Sequence, residues 1–309
     1  LVAQHWHQLP DDLKAEIPDH FRPLPYRESA DKSDQRLEIC DAFLDSEHFR
    51  VHYSTLPSDQ PTGYPDLQSV HDLAAHLETA YAFHRDVSGM GVALTDSAYG
   101  GGLDLIDCYY YDLSDLELFG YMSLGGRRII KKRSSGWGTI AVTSKFGAGV
   151  EPEQLQLTSE HEYYHLLQYS HNSRQSSWLM ESTARNSEFH VWPQYARPRG
   201  ADSWMRHPYY PVWDSGGYYK YAPHFWMFLE AQLGPDIVTT IWDRSCDEML
   251  WDSLRSELAD AGSDLDTAFT EFAIWNFFAG HRDDGQHYNP AYDIPAASYQ
   301  AWYKGAYPV

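Results

Sequence analysis

The chain has 309 residues, 43% of them hydrophobic and 15% aromatic, enough to bury a sizeable core and incompatible with a disordered chain. Its formal charge of −21 argues against nucleic acid and anionic membrane surfaces as partners. No apolar run approaches the roughly 20 residues needed to cross a bilayer, so no membrane span is expected.

The sequence opens on Leu1 without a charged and then apolar leader, which reads as a processed or trimmed product whose targeting signal, if any, is gone; a secreted, extracellular protein is expected. Cys40, Cys108 and Cys246 form no CxxC pair, which sets aside a cysteine metal site. Either one disulfide forms, with Cys40–Cys108 as the pair, or all three are buried thiols. The 11 Trp and 23 Tyr exceed what packing usually demands, and some are expected to line an exposed groove.

Residues 1–47 carry Pro10, Pro18, Pro23 and Pro25 and read as an arm laid over the domain. His5 and His7 flank Trp6 in this arm, a poor setting for metal ligands. Phe49–Tyr53 alternates as a strand. An amphipathic helix is predicted over 66–86, with Leu67, Val70, Leu73, Ala74, Leu77, Tyr81 and His84 on its stripe and His71, His76 and His84 at the surface or core edge. Gly100-Gly101-Gly102 is a turn, Leu103–Leu113 a second strand, Arg127–Arg133 a solvated basic turn and Gly138–Thr143 a third strand.

Beyond residue 150 the pattern turns helical. Pro152 suits a first turn, and its helix should run to about Tyr169. Further helices are predicted at Ser177–Trp192, Tyr218–Leu233, Asp236–Asp243, Met249–Ala261 and Leu265–Phe278. The fold class is α+β. Residues 1–47 form the arm, 48–170 a small sheet-bearing N-terminal lobe ending in the key helix, and 171–309 a mainly helical C-terminal lobe.

That key helix carries His161-Glu162-Tyr163-Tyr164-His165. Positions i and i+4 share one helical face, so His161 and His165 can offer two nitrogens to one ion at the usual Zn–N distance of about 2.0–2.1 Å. Glu162, beside that face, can act on a water at the open side. A catalytic zinc site takes three protein ligands, and Glu181, Glu188, His171 and His190 are the local candidates. Glu181 is favoured, because Trp178-Leu179-Met180 would anchor its helix. Glu188 is assigned to orienting a histidine or Arg185, and His171 should point away.

HEYYH followed by WLMES at 178–182 resembles the gluzincin metallopeptidases, most closely a group of secreted bacterial metalloproteases first described in myxobacterial genomes. Softer echoes at 49–53, 63–67, 103–113, 225–234 and 268–278 extend the resemblance over most of residues 49–280. It implies a zincin-like fold, Zn2+ held by His161, His165 and Glu181, and Glu162 as general base. Arg185 departs from it, standing where many gluzincins place an acidic residue.

An oxyanion donor is expected among Tyr218, Tyr219, Tyr221 and His224, with Tyr221 taken as the catalytic choice. The strand at 138–143 could pair with an extended substrate. Asp104, Asp107, Asp112, Asp264 and Asp266 lack calcium-loop spacing and read as solvated acids. The expected activity is zinc-dependent endopeptidase cleavage of a protein or peptide substrate. The alternatives are a binding or adhesion module with a degenerate site, and an aminopeptidase, which ranks lower because no amine-anchoring GxMEN-like segment is present.

Overall fold

The computed structural model describes residues 40–55, 65–95, 104–114, 117–130, 133–144, 153–195, 204–207, 211–213, 222–289 and 292–297. His5, His7, Gly100–Gly102, Pro152, Tyr218, Tyr219 and Tyr221 lie outside them. Within them the chain is α+β, with a five-stranded mixed sheet and seven α-helices. It divides into two compact units. The first comprises residues 1–82, 92–128 and 136–170, and the second residues 83–91, 129–135 and 171–309. Among the described residues no helix is long and apolar enough to cross a membrane.

The strands are β1 (Ala42–Asp45), β2 (Phe49–Tyr53), β3 (Ile106–Tyr111), β4 (Gly120–Ile130) and β5 (Arg133–Thr143), in the spatial order β1-β2-β3-β5-β4. β1 runs antiparallel to β2, while β2, β3 and β5 are parallel, with Val51 opposite Cys108 and Cys108 opposite Ile140. β5 is flanked on both sides, and residues 138–143 are buried without alternation, as befits an interior strand. Thr143 N donates to Phe119 O at 2.8 Å, pinning the end of β5 to the start of β4 in an antiparallel hairpin.

Three expectations change here. β1 shows that the last residues of the N-terminal arm belong to the sheet. Arg127 and Arg128 are strand residues of β4 and Arg133 opens β5, so the described residues of the basic stretch are strand and not turn. β5 is interior, and among the described strands the edge on that side is β4.

Helix α1 (Leu67–Phe83) begins where Asp66 Oδ1 accepts from Ser69 N at 2.7 Å, and it buries Val70, Leu73, Ala74, Leu77 and Ala80. A π-turn at His84–Ser88 continues it. His84 is 1% exposed, hence core and not edge, with Nδ1 at 2.8 Å from Ser88 Oγ.

Helix α2 (Glu153–Asn172) is nearly buried all round. Tyr163, fully buried, meets Phe49 of β2 edge-on at 5.5 Å and lies 6.1 Å from Tyr81 of α1. Gly138 of β5 lies against Leu166. Tyr163 and Leu166 thus fix α2 against the sheet.

The second unit contains α3 (Ser177–Val191), α4 (His224–Leu233), α5 (Ile237–Ser245), α6 (Leu250–Asp260) and α7 (Leu265–Phe277). α4 starts at His224, since Ala222 and Pro223 are not helical. Trp178 of α3 stacks on Trp226 of α4 at 5.0 Å and on Trp251 of α6 at 5.7 Å, and Phe225 stacks on Phe269 at 4.8 Å. The indole N–H groups of Trp226 and Trp242 donate to Ser182 Oγ and Thr183 Oγ1 of α3 at 2.6 and 3.2 Å. Much of the aromatic content is therefore core. Among the described tryptophans Trp213 alone is exposed, at 43%.

Candidate metal centre

His161 and His165 lie mid-helix on α2, one turn apart, their rings edge to face at 4.7 Å and 84°. Glu181 lies in the second turn of α3. One ligand atom from each of His161, His165 and Glu181 lies within 4.8 Å of the other two. His161 is buried, His165 sits at the margin of burial at 9% exposed, and Glu181 is half-buried. Two imidazoles and a carboxylate that converge this closely are a donor set suited to a first-row divalent cation, zinc among them.

α3 is positioned by its approach. Ser176 caps it, its Oγ accepting from Leu179 N at 3.3 Å. The residues before the cap are tied down by side-chain bonds. Asn172 Nδ2 donates to Ser245 O at 2.6 Å, Gln175 Nε2 to Glu248 O at 3.2 Å, and Gln175 Oε1 accepts from Leu250 N at 2.9 Å. Trp178 and Leu179 then bury into the helical core, as their bulk suggests, while Met180 is only half-buried.

Gln168, an ordinary helix residue by sequence, belongs to this site. Its Oε1 lies 2.7 Å from His165 Nδ1, and both side chains are buried. The amide oxygen can only accept, so Nδ1 donates and the lone pair of the neutral ring stands on Nε2. That is the tautomer a metal requires from a ring anchored at Nδ1. The i to i+3 spacing on a helix was the available signal.

Gly120, at the start of β4, is the second residue that motif reading passes over. An ideal Cβ there would stand 2.7 Å from Glu162 Cγ, 2.8 Å from Glu162 Oε1 and 2.9 Å from Thr158 Cγ2. Backbone carrying only hydrogens thus backs directly onto the buried Glu162 side chain. Behind it, burial pushes the Cys108 thiol well up, with a smaller contribution from Asp107, so Cys108 stays protonated and inert. Cys40 is held up at about 12 by burial and then by Asp41, and all three cysteines are free thiols.

The remaining candidates go elsewhere. Glu188, fully buried, accepts from Arg185 Nη1 at 2.8 Å, so Arg185 is answered within its own helix. His190 and Asn186 converge on Glu230 of α4, at 3.0 and 2.7 Å. His171 points to the Met90 carbonyl at 3.1 Å. His224 is fully buried beside Trp204 and Tyr288 in the aromatic core. The acids act locally: Asp107 meets His52 at 2.8 Å, and Asp264 caps α7 by accepting from Thr267 N at 2.8 Å.

No protein-family model and no curated protein matches this chain.

Proposed function

We propose that the chain is a zinc-dependent metalloendopeptidase of gluzincin type with a zincin-like fold. The observation that carries this reading is the convergence of His161, His165 and Glu181 within 4.8 Å, with Glu162 adjacent on the same helix. His161, His165 and Glu181 would hold the ion, with Gln168 fixing the tautomer of His165. A bound zinc ion supplies Lewis acidity and lowers the pKa of water to roughly 7.

The protein's own groups do the rest. Glu162 takes the proton from the attacking water as its oxygen adds to the scissile carbonyl, then delivers that proton to the departing amine nitrogen. Water and peptide bond are consumed, one carboxylic acid and one amine are released, and Glu162 returns to its starting state. Gly120 favours this role, because β4 presses on Glu162 and limits where its carboxylate can swing. Among the described strands β4 is also at the edge of the sheet, where an extended peptide could pair with it on a course that would pass Glu162.

The test is metal analysis of purified protein together with hydrolysis of casein and a mixed-peptide library by wild type and Glu162→Gln. Zinc near one equivalent in both is expected, with cleavage reduced on the order of 10²- to 10⁴-fold in the variant. Equal cleavage by Glu162→Gln would remove Glu162 as the base. Zinc without any Glu162-dependent cleavage would make the chain a metal-bearing binding module instead.

A further inference from the structure

The connection between α5 and α6 brings a thiol to an imidazole outside the candidate metal centre. Cys246 follows the last residue of α5, with its N–H bonded to Asp243 O at 3.2 Å, and its side chain is partly exposed. Its Sγ lies 3.6 Å from Nδ1 of His171, in the last turn of α2. The other ring nitrogen, Nε2, lies 3.1 Å from the main-chain carbonyl of Met90. A carbonyl only accepts, so Nε2 carries a hydrogen, and in the neutral ring the lone pair stands on Nδ1, facing the thiol.

A carboxylate completes the group. Asp243 Oδ1 is 3.6 Å from the same Nδ1, so a ring that has taken the thiol proton gains an opposite charge beside it. The carbonyls at the end of α2 favour that cation as well. Two influences oppose it: Cys246 caps the C-terminal end of α5, where helix dipoles disfavour a thiolate, and the Asp243 carboxylate that steadies the imidazolium also repels negative charge on the nearby sulfur. The partial charge of the helix end is spread over the last turn, whereas the imidazolium is a full charge in contact with sulfur, and the contact pair dominates. Nucleophile, base and a group orienting the base are the parts of an activated cysteine.

We propose that Cys246 is a nucleophilic thiol activated by His171 and open to oxidation by hydroperoxides. His171 Nδ1 takes the S–H proton, and a sulfur electron pair attacks one peroxide oxygen. The S–O bond forms as the O–O bond breaks, and the departing oxygen, after receiving the proton from His171, leaves as water from hydrogen peroxide or as the alcohol from an organic hydroperoxide. Sulfur is oxidised by two electrons to a sulfenic acid and the peroxide is reduced by two. This proposal does not rest on the metallopeptidase reading.

The test uses the reduced full chain at pH 7. Iodoacetamide labelling is followed by peptide mass spectrometry, and hydrogen peroxide treatment is followed by dimedone trapping. Cys246 is expected to alkylate at least about tenfold faster in the folded protein than in guanidinium at the same pH, and to be the dimedone-trapped site. His171→Gln should lose that advantage, and Asp243→Asn, at a side chain 63% exposed, should slow labelling roughly two- to fivefold. Equal rates in folded and unfolded protein overturn the proposal, as does a folded His171→Gln variant that labels as fast as wild type. If His171→Gln does not melt cooperatively, Asp243→Asn decides, and an unchanged rate there overturns it.

Discussion

Gly120 lacks a side chain at a point where Glu162 already fills the space one would need, and the consequence can be tested without any substrate. In Gly120→Ala the new methyl must displace either the Glu162 side chain or β4. We expect a loss of about 1–3 kcal/mol in denaturant unfolding, the usual cost of overpacking. In a Glu162→Ala background the two nearest contacts vanish and part of that cost should disappear, with Thr158 Cγ2 at 2.9 Å still crowding the methyl. A cost that is the same in both backgrounds would show that Gly120 matters for some reason other than Glu162. Gln168 offers a second test at this scale. Gln168→Leu removes the acceptor at His165 Nδ1, and zinc affinity, measured by competition with a chromophoric chelator, should fall about 10- to 100-fold.

At the scale of elements, α1 is fastened to the sheet by one carboxylate. Glu78 Oε1 accepts from Ser46 Oγ at 2.6 Å and from His48 N at 2.7 Å, and its Oε2 meets His48 Nδ1 at 2.7 Å. Burial pushes the Glu78 carboxyl upward, but the bonds from Ser46 and His48 outweigh it and hold the group below its ordinary value of 4.5. A depressed carboxyl stabilises fully above the unfolded value and loses that contribution as pH falls through the lower folded one. Glu78→Gln should therefore cost about 1–3 kcal/mol at pH 7, and the gap from wild type should narrow progressively in urea melts as pH falls below the ordinary carboxyl value of 4.5. A gap that does not narrow on acidification would make the effect one of shape, not charge. Ser46 and His48 flank the turn between β1 and β2, and nothing local in that sequence announces a distant acceptor. The same blindness hid β1, whose four residues are held by the ladder to β2 and not by their own propensity. It also hid β4, where Gly125, Gly126, Arg127 and Arg128 imitate a turn. Gly125 is there for packing: a Cβ would collide with the Trp137 ring on the partner strand. The helices were far more legible, since their stripes and caps are written within a few residues of one another. Val70, Leu73, Ala74 and Leu77 are the buried face of α1, and Ser176 caps α3 one residue before the predicted start. The convergence of His161, His165 and Glu181 was legible for the same reason, because an i to i+4 pair and an anchored following helix are local statements. Gln168 and Gly120 were not, because their roles exist only once rings and strands have been set beside them.

For the molecule as a whole, the deciding prediction concerns metal and stability together. A ligand that binds only the folded chain stabilises it by about 2.7 kcal/mol at one hundred times its dissociation constant. For a chain of 309 residues that corresponds to a rise in Tm of roughly 4 °C over protein stripped with a chelator. The net charge of −21 complicates the measurement, since it concentrates any divalent cation near the surface and relieves self-repulsion, raising Tm without a site. Screening of that kind depends on ionic strength and not on which divalent ion is added. Imidazole donors, in contrast, prefer zinc to magnesium or calcium. The informative quantity is accordingly the zinc rise minus the magnesium rise in about 0.3 M salt, where surface screening is already largely saturated. We expect that difference to be several degrees in wild type, to persist in Glu162→Gln, and to vanish in His161→Ala, which removes one donor of the converging set. A difference that survives His161→Ala would place the zinc somewhere other than His161, His165 and Glu181, and the metallopeptidase reading would fall with it.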